Sequence, residues 1–117
     1  MGLSTHVLDT MHGRPAAGMA VSLYRFEGDQ PRLERSFALN ADGRNPGGPL
    51  YDNASLRAGR FRLVFEVAEY FRAQGVKLPE PPFLDQVTLD FGVADTSQHY
   101  HVPLLCTPWS HSTYRGS

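Results

Sequence analysis

Along most of the chain apolar residues recur at every second position, and that period of two predicts strands rather than helices. The clearest case is Arg60 to Val67, where Phe61, Leu63, Phe65 and Val67 would share one face while Arg60, Arg62 and Glu66 mostly take the other. Val21 and Leu23 alternate with Ser22 and Tyr24 in a second strand, and Leu33 to Leu39 reads as a third with Phe37 and Leu39 inward. Val87, Leu89, Phe91 and Val93 alternate with Thr88, Asp90 and Gly92 in a fourth, and Gln98 to Cys106 follows as a fifth. Ser4 to Asp9 and Ser110 to Arg115 are predicted terminal strands. One interval breaks the pattern: Ala68 to Gln74 is rich in helix formers, and Gly75 supplies a C-terminal stop. The prolines of Leu78 to Phe83 then force extended backbone.

Turn-forming residues separate these runs. Asn40-Ala41-Asp42-Gly43 closes one, Asn45-Pro46-Gly47-Gly48-Pro49 makes a loop, and Ala94 to Ser97 reads as a hairpin connection. Many short strands at regular spacing predict an all-β sandwich or barrel. No repeat or linker interrupts the chain, and 117 residues suit one domain spanning 1–117.

Composition narrows the function classes. Eleven basic residues face twelve acidic ones, and a net charge of −1 gives no electrostatic footprint for nucleic acid or an anionic membrane. Cys106 is the only cysteine, so no intrachain disulfide is expected, and its apolar surroundings suit a small buried side chain better than a nucleophile. Met1 to Asp9 lacks the basic and apolar regions of a secretory signal, and no apolar run is long enough to span a bilayer, so a cytoplasmic protein is expected.

The candidate chemistry rests on histidines. His99 and His101, two apart on a strand, point to one face and would make half of a zinc site, with His6, His12 or His111 as a third ligand. No HExxH helix, CxxC pair or acidic cluster completes it, so no metal or other cofactor is expected. With Tyr100, Val102 and Leu104 inward, His99, His101, Pro103 and Leu105 face outward, on a surface apolar enough for another subunit to cover. Pro103 cannot donate to a ladder and should sit at a sheet edge or bulge. Ser112 and Tyr114 share one face of the last strand. There is no nucleophile elbow or phosphate-cradling glycine loop.

Three segments carry a resemblance. Leu3-Ser4-Thr5-His6-Val7-Leu8-Asp9-Thr10 with Gly13-Arg14-Pro15-Ala16, then His99-Tyr100-His101-Val102-Pro103-Leu104-Leu105, then the closing Tyr114-Arg115-Gly116-Ser117 together resemble the transthyretin-related 5-hydroxyisourate hydrolases over essentially the whole chain. The resemblance implies a transthyretin-like sandwich of two four-stranded sheets with one short helix. It implies a homotetramer, a dimer of dimers, with sites in the cleft where dimers meet. It implies hydrolysis of the small molecule 5-hydroxyisourate, in urate breakdown, without a cofactor. The family's catalytic set falls on His6, Arg44 and His101, with substrate contacts from His6, Arg44, Ser112, Tyr114 and Ser117; His99 would be a neighbour. His111 departs from the tyrosine usual at that position, which leaves the packing beside Ser112 open. The rival from another class is a transthyretin-type carrier of a hormone-like small molecule, and a second is a zinc-dependent hydrolase.

Overall fold

The computed structural model describes residues 2–117; Met1, at the head of the stretch read for a secretory signal, lies outside them. Along the chain run β1 (Leu3–Asp9), β2 (Arg14–Pro15), β3 (Ala20–Glu27), β4 (Gln30–Ala38), β5 (Gly59–Phe65), α1 (Val67–Ala73), β6 (Val87–Val93), β7 (Tyr100–Cys106) and β8 (His111–Thr113). They form two four-stranded sheets, ordered β2-β1-β7-β8 and β4-β3-β5-β6, as the resemblance implies. No helix among the described residues is long and apolar enough to cross a membrane.

The buried positions are those the alternation marks. Leu3 and Val7 of β1 and Val102 and Leu104 of β7 meet Val21, Leu23, Phe61, Leu63 and Phe65 of the other sheet. Each such side chain contributes about 1.5–3 kcal/mol over its exposed state, so the paired inner faces hold the fold. Two inward positions of β1 are polar and both are satisfied. Thr5 Oγ1 donates to the Val102 carbonyl at 2.7 Å. Asp9, fully buried, accepts from the His12 backbone N–H at 3.0 Å, lies 2.6 Å from His12 Nδ1, and accepts from the Tyr70 hydroxyl at 2.8 Å. This carboxylate ties α1 to the first sheet.

The helix begins one residue earlier than Ala68 and ends at Ala73. Gly75 stops it as expected, with φ +85° and the paired bonds Val76 N–H to Phe71 O and Gly75 N–H to Arg72 O, both 3.0 Å. Val67 therefore turns out of the strand pattern while staying buried. β2 has only two residues, too few for alternation to signal it. β4 is an edge strand, exposed along nearly its whole length; Phe37 is half-buried, and Leu39 is buried just past the strand's end.

Two local expectations are corrected. Ala94 to Ser97 is not a hairpin connection, because β6 and β7 lie in different sheets. The Tyr100 hydroxyl accepts from the backbone N–H groups of Ala94 and Asp95, both at 3.2 Å, and fixes the crossing between layers. Alternation looks the same whether consecutive strands pair or face each other, so the pattern alone did not separate the two. Pro103 lies inside a sheet, on a strand flanked by β1 and β8. Its nitrogen falls on the side of β7 that bonds the C-terminal segment, since His101, two residues away, exchanges both its backbone bonds with Gly116. There the ladder lapses between the Leu104–Thr113 pair and the His101–Gly116 bridge, so the missing donor falls in a gap.

Candidate active site

β1 and β7 run parallel, with Ser4 opposite His101 and His6 opposite Pro103. Odd residues of β1 and even residues of β7 point into the core, so Ser4, His6 and His101 stand together on the outer face. His99 precedes β7 and stacks on His101, ring centroids 6.5 Å apart and 15° from parallel. All four side chains are half-buried.

Arg44 arrives from the other side of β1. Asn40 Oδ1 accepts from the backbone N–H groups of Asp42 at 2.9 Å and Arg44 at 3.0 Å, closing the turn that carries it. Gly43 takes φ +75°, and a Cβ there would come within 2.6 Å of the Val7 carbonyl oxygen, so the turn admits only glycine. Arg44 then bridges His6 in the antiparallel sense, and directly opposed residues share a face. On the far side of β7, Gly116 bridges His101, and a Cβ at Gly116 would sit 3.1 Å from the His101 Cβ. Four backbone segments thus lie side by side; at about 4.8 Å between neighbours the row from Arg44 to Gly116 is about 14 Å wide.

The electrostatics suit neutral imidazoles. Burial first, then the Arg44 guanidinium, hold His6 below the usual 6.5, against opposing contributions from the backbone and charge of Asp42. Burial first, then Arg44, His6 and His99, hold His101 below the usual 6.5 as well. Burial pushes the Cys106 thiol up to about 12, which removes it as a nucleophile at neutral pH. If neutral His6 and His101 do the proton work, kcat/KM stays level from pH 8 down past 6.5 and falls only at lower pH, where the imidazoles take up protons. A pH–rate profile whose acid limb is centred above 6.5 would contradict this.

Arg44, His99, Ser4, Asn40 and Asn45 line an open cleft of about 400 Å³. A slightly larger cavity, about 450 Å³, opens between β6 and the C-terminal segment and is lined by Leu89, Phe91, Tyr100, Thr113 and Tyr114. It holds none of the histidines and is mostly apolar, whereas the smaller cleft takes Arg44 and His99 into its lining and leaves His6 and His101 just outside it. Sequence reasoning's residues therefore divide. His6, Arg44, His99 and His101 come together on one surface. Ser112 is exposed on β8, paired with Leu105; Tyr114 is 61% exposed and borders the apolar cavity; Ser117 is exposed beyond Gly116. His111 is exposed at the start of β8, opposite Cys106.

Three contributors were not singled out from the sequence. Ser4 Oγ lies 2.8 Å from His101 Nδ1 and 3.2 Å from His99 Nε2. Its place two residues before His6 already put it on the histidine face. Asn40 shapes the turn. Arg115 donates to Gln98 Oε1 at 2.9 Å and to the His99 carbonyl at 3.0 Å, with its guanidinium over the Tyr100 ring, and so clamps the C-terminal segment to the start of β7. Among the described residues no three His, Cys, Asp or Glu side chains gather as metal ligands.

The HIUase/Transthyretin family pattern matches residues 3–116. This chain belongs to that family. Within the HIUase/Transthyretin family it is similar to 5-hydroxyisourate hydrolase 2 of Rhizobium meliloti, with 55% identity over 98% of this chain and 95% of the relative. Among solved structures, 5-hydroxyisourate hydrolase of Klebsiella pneumoniae superposes over 100% of both chains with TM-score 0.79 and 36% identity. The crystal structure of (S)-allantoin synthase matches 99% of this chain with TM-score 0.92 and 43% identity; the match spans 43% of that longer chain.

Proposed function

We propose that this chain hydrolyses 5-hydroxyisourate to 2-oxo-4-hydroxy-4-carboxy-5-ureidoimidazoline, with His6, Arg44 and His101 as the groups that act on the substrate. The observation that carries this reading is the flanking of His6 by Arg44 and β7 on one outer face, with both imidazoles held neutral. The bond broken is amide-like. Water must lose a proton as it attacks the carbonyl carbon, the carbonyl oxygen gathers negative charge, and the departing nitrogen must receive a proton. Two neutral imidazoles can accept and deliver those protons near pH 7. The rigid guanidinium of Arg44 suits a planar, oxygen-rich ring and stabilises the developing oxyanion. A carrier needs no such set, which is why the hydrolase is preferred to a transthyretin-type binder.

Ser112, Tyr114 and Ser117 are the further substrate contacts in this reading. Ser112 pairs with the outward Leu105, Ser117 follows Gly116, whose backbone lies against His101, and Tyr114 stands just past the end of β8 between them. The family match over residues 3–116 supports one transthyretin-like domain over 1–117. A homotetramer that covers the outer face, working in the cytoplasm, completes the proposal.

The test is to follow the ultraviolet absorbance of freshly generated 5-hydroxyisourate with and without a strong chelator. Rapid decay in both is expected; no acceleration over buffer would overturn the reading, and loss of activity with chelator would favour a metal hydrolase. Arg44→Ala should lower kcat/KM about 10²–10³-fold, the cost of one positioned donor at an oxyanion. Because Arg44 is exposed and its turn is held by backbone bonds to Asn40, stability should change by less than about 0.5 kcal/mol. Removing its charge should also move the acid limb of the pH profile upward, since Arg44 depresses both histidines.

A further inference from the structure

Ser4 stands between His99, just before β7, and His101 of β7, within hydrogen-bond reach of His101 Nδ1 at 2.8 Å and of His99 Nε2 at 3.2 Å. A hydroxyl has one hydrogen, so it can donate to only one of the rings and must accept from the other. The other nitrogen of His99 decides which. His99 Nδ1 is sealed from solvent and has no hydrogen-bond partner among the described residues. A buried N–H without an acceptor is the rarer and costlier orphan, so this nitrogen is the bare one. His99 then carries its proton on Nε2 and donates to Ser4 Oγ. The Ser4 hydrogen has one acceptor left, His101 Nδ1, at the shorter of the two distances. The reverse arrangement would bury the His99 Nδ1–H unpartnered. Two imidazoles both donating to Ser4 would leave the hydroxyl hydrogen without an acceptor.

We infer that Ser4, held by His99, is a positioning residue that fixes the tautomer of His101, keeping its proton on Nε2 so that His101 serves as the proton donor of the reaction. The inference rests on the proposed hydrolysis and assigns the roles within it. Water attacks the substrate carbonyl carbon and gives its proton to His6. The C–N bond breaks, and the departing nitrogen takes the Nε2 proton of His101, leaving that ring briefly anionic under the charges of the Arg44 guanidinium and the now protonated His6. The proton on His6 leaves to solvent and His101 regains one, so both rings return to their starting state. Without Ser4, the His101 proton divides between its two nitrogens, and only one of the forms keeps a proton on Nε2 to donate.

The experiment is ¹⁵N NMR of the histidine rings at pH 8 in the wild-type protein, in Ser4→Ala and in Ser4→Thr, with steady-state kinetics on 5-hydroxyisourate. The wild-type rings of His99 and His101 should both be protonated on Nε2. Ser4→Ala should convert His101 to a tautomer mixture and lower kcat at least about tenfold with KM little changed, a part of the 10²–10⁴ that a general acid supplies. Ser4→Thr, which keeps the hydroxyl, should restore both. A wild-type His101 protonated on Nδ1 overturns the inference, and this spectrum decides it even where a variant fails to fold. So does a Ser4→Ala protein with wild-type ring signals and kcat. A wild-type protein with the expected tautomers but no hydrolysis of 5-hydroxyisourate leaves the Ser4 arrangement standing and overturns the functional reading instead.

Discussion

His101→Asn is expected to lower kcat/KM for 5-hydroxyisourate about 10²–10⁴-fold, the range over which a positioned acid or base acts. The fold should survive the change. His101 is half-buried on the outer face, its backbone bonds to Gly116 do not involve the ring, and an asparagine can still bond Ser4. Melting temperature and circular dichroism should therefore stay near wild type while turnover collapses. The loss should not be rescued by substrate concentration, because the missing group acts on the reacting atoms rather than on binding alone. A variant that retains more than about a tenth of wild-type kcat would remove His101 from the proton chemistry, since a general acid or base is worth far more.

Asp9→Ala should do the opposite, destabilising the fold without touching the reacting groups. Asp9 is fully buried and holds three hydrogen bonds, to the His12 backbone, the His12 ring and the Tyr70 hydroxyl. Truncation leaves those partners unsatisfied between β1 and α1, a cost of about 3–5 kcal/mol from charge-assisted bonds that are not additive. In a domain of this size that lowers Tm by more than about 10 °C. Burial acts to raise the carboxyl's pKa, but the bonds from His12 and Tyr70 outweigh it and hold Asp9 below 3.8. Burial and the same carboxylate push the Tyr70 hydroxyl up to about 12. Because the folded pKa is depressed, the stability Asp9 contributes is complete above its unfolded value and is lost as pH falls through the folded one. Thermal melts of the wild type should therefore lose stability steeply below pH 3.8, and this acid limb should flatten in Asp9→Ala. Equal Tm values at pH 7 would show that the buried network does not hold α1 to the sheet.

Much of this molecule could be read from alternation, and the failures are instructive. Strands whose one face is buried, such as β5 and β7, carry their pattern openly, because a slip of one residue would turn every apolar side chain to water. β4 is exposed on nearly every residue, so its pattern says little about which side chains face in. Which strands pair is a different matter. β1 and β7 join residues near opposite ends of the chain, and nothing local distinguishes that pairing from a hairpin between β6 and β7. The candidate site follows the same division. His101 and His6 were legible as residues on strand faces, and Arg44 only through the family resemblance, since an arginine after a turn is ordinarily a solvated charge. Ser4 gains its place from the pairing of β1 with β7, and Asn40 from the shape of a loop; neither carries a chemical signature of its own. Gly116 has a physical reason that the closing motif alone does not state, because its missing side chain lets the C-terminal backbone lie against His101.

The proposed hydrolysis requires one small planar ring held between Arg44, His6 and His101 on the outer face of the β2-β1-β7-β8 sheet. A crystal structure of the protein soaked with a non-hydrolysable, purine-like analogue of 5-hydroxyisourate tests it most directly. The ring should lie beside Arg44, with a carbonyl oxygen on the guanidinium and both imidazoles within hydrogen-bond reach. An analogue seated instead in the apolar cavity between β6 and Tyr114, with His6 and His101 untouched, would contradict it.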